Sequence, residues 1–380
     1  MPLRGWVALV SAALLAACAH DSALELPARS AIDLEVKALM SAEHVKGLAL
    51  ALIDDGEIVE VSVYGFRNVE KALPLTPDTV MYGASLTKTV VAYLVLQLVE
   101  EDVFDLDKPL ADYLPKPLTD YDGYGDLAGD ARWRRITARH VLTHATGFAN
   151  FRWLEDDKKL RFHFDPGARY AYSGEGFHLL QLAIEEGLGL NLEAEAQRRI
   201  FEPFGLTRTS LQWRPDFASD LADGYAIDGA FRPHDRRPKP SAAGSMDTTI
   251  ADQARLWAAI MRGDGLSRAS RKELVRPQRP ITSKRQFPTL RDWQDQRGPA
   301  ISLSAGLGLV TYKDERAGLS WFKGGHNDWT GNQVVCQEAR RRCVVLLSNS
   351  VRAERIYPRI VKLVLGDTET PWWWEYGEAE

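Results

Sequence analysis

Hydrophobic and polar positions divide the chain into three stretches with different periods. Residues 47–65, GLALALIDDGEIVEVSVYG, are two strand-like runs broken at Asp55-Gly56, a pair that favours a tight hairpin turn. From Ser85 the period changes. TVVAYLVLQLVEED is apolar on nearly every side and long enough for a buried helix. Pro109, Pro115 and Pro117 then interrupt the chain. ITARHVLTHATGF (136–148) predicts a helix with Thr137 near its start and Gly147 at its end. FHLLQLAIEEGLG (177–189) and NLEAEAQRRIFEPFG (191–205) read as helical, and TIADQARLWAAIMRG (249–263) opens with Thr249 and Asp252 at capping-box spacing. Between 212 and 245 the Pro, Gly and Asp residues predict loops. Strand character returns in GLGLVTY (306–312), LSWFKGG (319–325), NQVVC and CVVLLSN, an antiparallel-looking series, and AERIYPRIVKLVLG (353–366) predicts a closing helix.

The order is strands, a long helical section, strands, helix. It implies an α/β (α+β) chain with an antiparallel sheet flanked by helices. The expected sheet domain comes from both chain ends (31–84 and 301–370), with a mostly helical domain inserted over 85–300. The cleft between the two is the expected site.

The first residues read differently. Arg4 precedes an apolar run from Trp6 to Ala17, too short to span a bilayer comfortably but suited to a signal peptide over 1–17. The run ends in Leu15-Ala16-Ala17-Cys18, which resembles the lipobox of bacterial lipoproteins. Cys18 would then carry the lipid, and residues 18–30 would form a tether. Ordinary cleavage beside an incidental cysteine is the alternative. Either reading implies export, to the periplasm or the cell exterior, with membrane contact only through the lipid. Two further cysteines, Cys336 and Cys343, flank QEARRR between two strand-like runs. A hairpin there would bring them together, so a disulfide and a pair of buried thiols both remain open. The overall composition is 45% hydrophobic and 26% charged with a net charge of −5, which offers no electrostatic basis for nucleic-acid binding. The end of the chain (371–380) contains Trp372, Trp373 and Trp374, expected to pack back on the fold.

Candidate chemistry begins at Ser85-Leu86-Thr87-Lys88. Unpaired N–H groups at a helix start favour developing negative charge on a nucleophilic serine. A lysine three positions on lies on the same face, with Cβ atoms about 5–6 Å apart. Burial lowers its pKa, and a neutral amine can accept the serine proton. By itself the pattern also describes a helix start followed by a solvated lysine. Ser85 is followed by Leu86-Thr87, so the GxSxG elbow of α/β-hydrolases is absent. His140 and His144 have a metal-like spacing of four, but no HExxH accompanies them, and structural roles are expected. No cofactor and no metal are implied.

Two later segments, PGARYAYSGEGFHLLQLAIE (166–185) and WFKGGHNDWTGN (321–332), complete a pattern. Together with Ser85-x-x-Lys88, the order resembles the serine β-lactamase and penicillin-binding protein superfamily, in particular the class C β-lactamases, the DD-peptidases and the related esterases. Tyr172-Ser173-Gly174 is similar to that family's Tyr-x-Asn motif, and Lys323-Gly324-Gly325 to its Lys-Thr-Gly box. ITARHVLTHATGF, IFEPFGLTRTS and PSAAGSMDTTIADQARL resemble its connecting segments, so the likeness runs through most of residues 40–365.

The resemblance implies a β-lactamase/transpeptidase-like fold and an acyl-enzyme on Ser85. Lys88 and Tyr172 would share the base role, the first base being open between them. Lys323 would favour phenolate character on Tyr172 and could bind a substrate carboxylate. The N–H groups of Ser85 and His326 would form the oxyanion hole, with Gly324 and Gly325 letting substrate approach the strand. Small esters, amides or peptides are the implied substrates. The chain departs from the family at Gly174 (Asn there) and Gly324 (Thr or Ser there), which lowers the expectation of efficient β-lactam hydrolysis; Glu175 is a candidate substitute for the lost amide. These departures also motivate a second reading, a non-catalytic protein that binds peptidoglycan or a partner.

Overall fold

The computed structural model describes residues 26–291 and 293–377. The readings at 1–17 and Cys18, and the last three residues of the tail, lie outside them.

Among the described residues a nine-stranded antiparallel sheet organises the fold. Its strands are β1 (Gly47–Asp54), β2 (Glu57–Asn68), β3 (Leu73–Pro74), β6 (Arg279–Pro280), β7 (Ser304–Ala305), β8 (Val310–Asp314), β9 (Gly318–Asn327), β10 (Thr330–Gln337) and β11 (Arg342–Ser348). Two further strands, β4 (Met81–Ala84) and β5 (Met246–Thr248), pair with each other separately. The sheet order is β3-β2-β1-β11-β10-β9-β8-β7-β6, so β1 from the front of the chain pairs with β11 from its end. The predicted hairpin is present: Asp55 and Gly56 both take left-handed φ, 50° and 78°, as a two-residue turn with that twist requires.

Both faces of the central strands are covered, and strand alternation sorts the side chains. Ala49, Ala51 and Ile53 face a core shared with helix α2 (Thr87–Glu100) and helix α5 (Ile250–Arg262). Leu48, Leu50 and Leu52 face the opposite core, closed by α1 (Arg29–Ala42) and α6 (Tyr357–Leu365). α5 starts where the capping residues placed it, with the Thr249 hydroxyl accepting from the Asp252 N–H, and it ends at Gly263 in the left-handed region. α2 is buried along nearly its whole length, which explains its lack of a polar face.

Three details differ from the sequence reading. The helix expected over 136–148 is only α3 (Ala138–Leu142). Thr137 caps it as expected, but His144 (φ 52°) and Gly147 (φ 90°) turn the chain away early, toward the cleft. Helix α4 (Gly174–Leu182) begins three residues before the predicted start because the Ser173 hydroxyl accepts from the Gly176 N–H. Arg279–Pro280, within the stretch assigned to the helical part, pairs with β7 at the sheet edge. Cys336 and Cys343 stand directly opposite on β10 and β11 and are disulfide-bonded. The tail forms a short turn of helix, α7 (Trp372–Glu375), and Trp374 is fully buried against the rings of Tyr170 and Phe322.

Candidate active site

Ser85 lies in the turn joining β4 to α2. The residue before it, Ala84, has φ 47°, a conformation a non-glycine residue adopts at a cost of about 1–3 kcal/mol and only where its surroundings enforce it. Pairing of β4 with β5 on one side and the buried α2 on the other supply that enforcement.

One turn into α2, the Lys88 side chain runs back so that Nζ lies 3.1 Å from Ser85 Oγ. The amine also donates to the Ala243 carbonyl. It lies 5.0 Å from the centroid of the Tyr172 ring and 5.3 Å from that of Phe177. Lys88 is 1% exposed and makes no ion pair among the described residues. Burial, reinforced by the positive charge of Lys323, holds its pKa well below the usual lysine range.

Tyr172 reaches the same serine from the loop before α4, its hydroxyl 2.8 Å from Ser85 Oγ. The 144–150 segment fixes that loop. The Ala171 N–H donates to the His144 carbonyl, the Ser173 N–H to His144 Nδ1 at 3.1 Å, and the Gly174 N–H to Asn150 Oδ1 at 3.0 Å. The His144 ring stacks on Tyr172 with centroids 4.1 Å apart. The early end of α3 therefore places a wall behind the tyrosine. His140 reaches back to the Thr137 N–H in the same capping box, so both histidines of the i, i+4 pair have structural work.

Burial raises the Tyr172 pKa, with only partial relief from its bond to Ser85. Burial outweighs the phenolate character expected from Lys323, which sits over the ring, Nζ 5.5 Å from the centroid, and donates to the Gly324 carbonyl. The Tyr172 hydroxyl is a donor toward Ser85.

β9 brings Lys323, Gly324, Gly325 and His326 along the other side of the cleft. Gly325 passes so close to the serine turn that a Cβ there would sit 2.9 Å from Gly83 O, 3.0 Å from Leu86 N and 3.1 Å from Ser85 N. All three are backbone atoms that cannot move aside alone. Gly325→Ala should therefore push β9 off the turn, costing about 1–3 kcal/mol of stability in a thermal melt. It should also lower ester turnover by roughly 10²-fold through misalignment. The His326 side chain is spent on Glu354, Nδ1 to Oε1 2.9 Å. Burial opposes protonation of that imidazole, but Glu354 outweighs it and raises the pKa.

The two departures from the family motifs have visible occupants. A Cβ at Gly174 would collide with the Phe151 ring, which stacks on Trp153 with centroids 4.1 Å apart. A Cβ at Gly324 would collide with Glu375 Oε1. Glu175 does not replace the missing amide. It turns to Arg152, accepting from its N–H at 2.8 Å and its guanidinium at 3.0 and 2.6 Å. Asn150, Phe151 and Glu375 line the cleft and were not found from sequence. Phe151 and Asn150 belong to a loop without a motif, and Glu375 is distant in sequence from every other site residue. The cleft has a volume of about 670 Å³. Among the described residues no cluster of His, Cys, Asp and Glu could hold a metal ion.

The chain is 26% identical over 211 residues to a D-aminopeptidase of Gluconobacter oxydans (strain 621H), the match covering 53% of this chain and 40% of that one. It is 29% identical over 220 residues to the monacolin J acid methylbutanoyltransferase of Aspergillus terreus (strain NIH 2624 / FGSC A1156), covering 49% and 53%. It thus spans about half or less of the length of these relatives. In three dimensions it superposes on the D-alanine carboxypeptidase AmpC from Burkholderia cenocepacia with a TM-score of 0.69 at 20% identity, over 89% of this chain and 98% of that one, which shows a shared fold. The family model described as Beta-lactamase matches residues 32–364, a span that takes in the serine turn, the tyrosine loop and the lysine strand, and the chain belongs to that family.

Proposed function

We propose that the protein is a serine hydrolase that cleaves small esters or amides through an acyl-enzyme on Ser85. The observation that carries this reading is the bracketing of Ser85 Oγ by Lys88 Nζ at 3.1 Å and the Tyr172 hydroxyl at 2.8 Å. Relatives named as a D-aminopeptidase and as an acyltransferase support acyl transfer as the chemistry.

Lys88, whose neutral form burial favours, takes the Ser85 proton as Oγ attacks the carbonyl carbon. The phenol of Tyr172 donates to Oγ and orients it. The carbonyl oxygen becomes an oxyanion held by the N–H groups of Ser85 and His326; the Ser85 N–H makes no backbone hydrogen bond among the described residues. One such donor is worth about 2.7–4 kcal/mol in the transition state. Collapse breaks the bond to the leaving oxygen or nitrogen, which takes the proton back from Lys88, directly or through Tyr172. Water then attacks the acyl-enzyme by the same route in reverse. Incubation with a fluorophosphonate should add one phosphonyl group per chain, at Ser85, by intact mass and peptide mapping. An unmodified Ser85 would count against the assignment. The non-catalytic alternative rested on Gly174 and Gly324. With Phe151 and Glu375 in those spaces and the three-residue contact intact, no observation favours it.

Export as a lipoprotein through Cys18 is a further part of this proposal, supported by the disulfide between Cys336 and Cys343, which suits an oxidising compartment. Radiolabelled palmitate should mark the protein expressed in a Gram-negative host and should fail to mark Cys18→Ser.

A further inference from the structure

The tail residue Glu375 has no part in the acyl-transfer steps above, yet it is buried in the cleft at 7% exposure. Buried Trp374 anchors the segment, its indole Nε1 donating to the Ser283 hydroxyl and its carbonyl accepting from the Gln286 N–H. This directs the next residue over β9. Its carboxylate takes the space that a side chain at 324 would fill, which only a glycine leaves open. Oε2 is buried and has no hydrogen-bond partner among the described residues. A buried carboxylate oxygen left unpaired costs stability, and such a cost is retained where a bound molecule completes the bond.

The charge around it points the same way. Asp228, Asp328, Glu354 and Glu375 line the cleft, and of the two lysines there Lys88 has its charged form disfavoured by burial. Lys323 and Glu375 act on each other: burial brings the Lys323 pKa down to about 8 and the Glu375 pKa up to about 7, and each charge opposes the shift of the other. The cation that would hold a substrate carboxylate beside Ser85 thus has a carboxyl group of the chain itself near enough to act on it.

Resting on the acyl-enzyme reading, we propose that Glu375 is a specificity-determining residue, selecting acyl donors that carry an amine or no charge beside the scissile bond and rejecting those that carry a carboxylate. The Glu375 carboxyl group accepts from the donor's N–H. A carboxylate at the same place would compete with Glu375 for Lys323 and would meet the ionised form of Glu375 as a like charge.

The test compares two Ser85-directed probes on the purified protein, an uncharged fluorophosphonate and a fluorescent penicillin, whose carboxylate sits beside its reactive amide. Second-order labelling rates are measured for the wild type and for Glu375→Gln, which keeps the size and removes the charge. The ratio of penicillin to fluorophosphonate rates should rise about tenfold or more in Glu375→Gln. The conservative Glu375→Asp should remain close to the wild type. A packing defect would slow both probes together and leave the ratio unmoved, so a ratio unchanged in Glu375→Gln, with fluorophosphonate labelling intact, overturns the specificity role alone. Absence of fluorophosphonate labelling in wild type and variant alike would remove the acyl-enzyme reading and this proposal with it.

Discussion

Ser85→Ala is expected to reduce turnover of p-nitrophenyl acetate by roughly 10⁴-fold or more, to the level of a protein without a nucleophile. The substitution removes one hydroxyl from a turn whose shape is set by Ala84, the β4–β5 pairing and α2, none of which depends on that oxygen. Lys88 keeps its bond to the Ala243 carbonyl. The melting temperature should accordingly shift by no more than the loss of two hydrogen bonds, those from Lys88 and Tyr172, about 1–3 kcal/mol. Folded protein with undiminished ester turnover would reject Ser85 as the nucleophile.

The second large effect is expected at the base. Lys88→Met preserves an unbranched chain of similar length and deletes the amine, and it should lower kcat/KM by about 10²–10⁴-fold. The sign of the pH dependence follows from the environment. Burial and Lys323 depress the Lys88 pKa, which favours the neutral, proton-accepting form. Acidification through that lowered pKa converts it to an ammonium that can accept nothing. The wild type should therefore lose kcat/KM as pH falls, and the acidic limb should vanish from the residual activity of Lys88→Met. Tyr172, whose pKa burial raises, would instead become a base only on the alkaline side. An activity that appears only as pH rises toward the phenol range, and that survives Lys88→Met, would transfer the first proton step to Tyr172.

Much of the fold was readable from local pattern. The hairpin at Asp55-Gly56, α5 between Thr249 and Gly263, and the late antiparallel strands all rest on turn chemistry, capping or alternation within short windows. The reading weakened where a tertiary contact overrode the local preference. Residues 143–148 lie inside the predicted helix, yet the chain leaves it after Leu142, His144 stacks behind Tyr172 and the 144–150 segment holds the tyrosine loop. The open question at Cys336 and Cys343 likewise depended on strand register, and one residue of slip would have placed the two side chains on opposite faces.

The sequence alone determined which groups could do the chemistry. Ser85 and Lys88 are tied by helical spacing, and Tyr172 and Lys323 were identified by ordered motifs, because short-range geometry and residue type are local properties. Only the tertiary structure decided their states and their company. The burial that lowers the Lys88 pKa, raises that of Tyr172, seats Phe151 beside Gly174 and brings Glu375 from the tail to Gly324 is made by segments far apart in the chain. Desolvation and close packing depend on everything that surrounds a group, and no stretch of sequence contains its own surroundings.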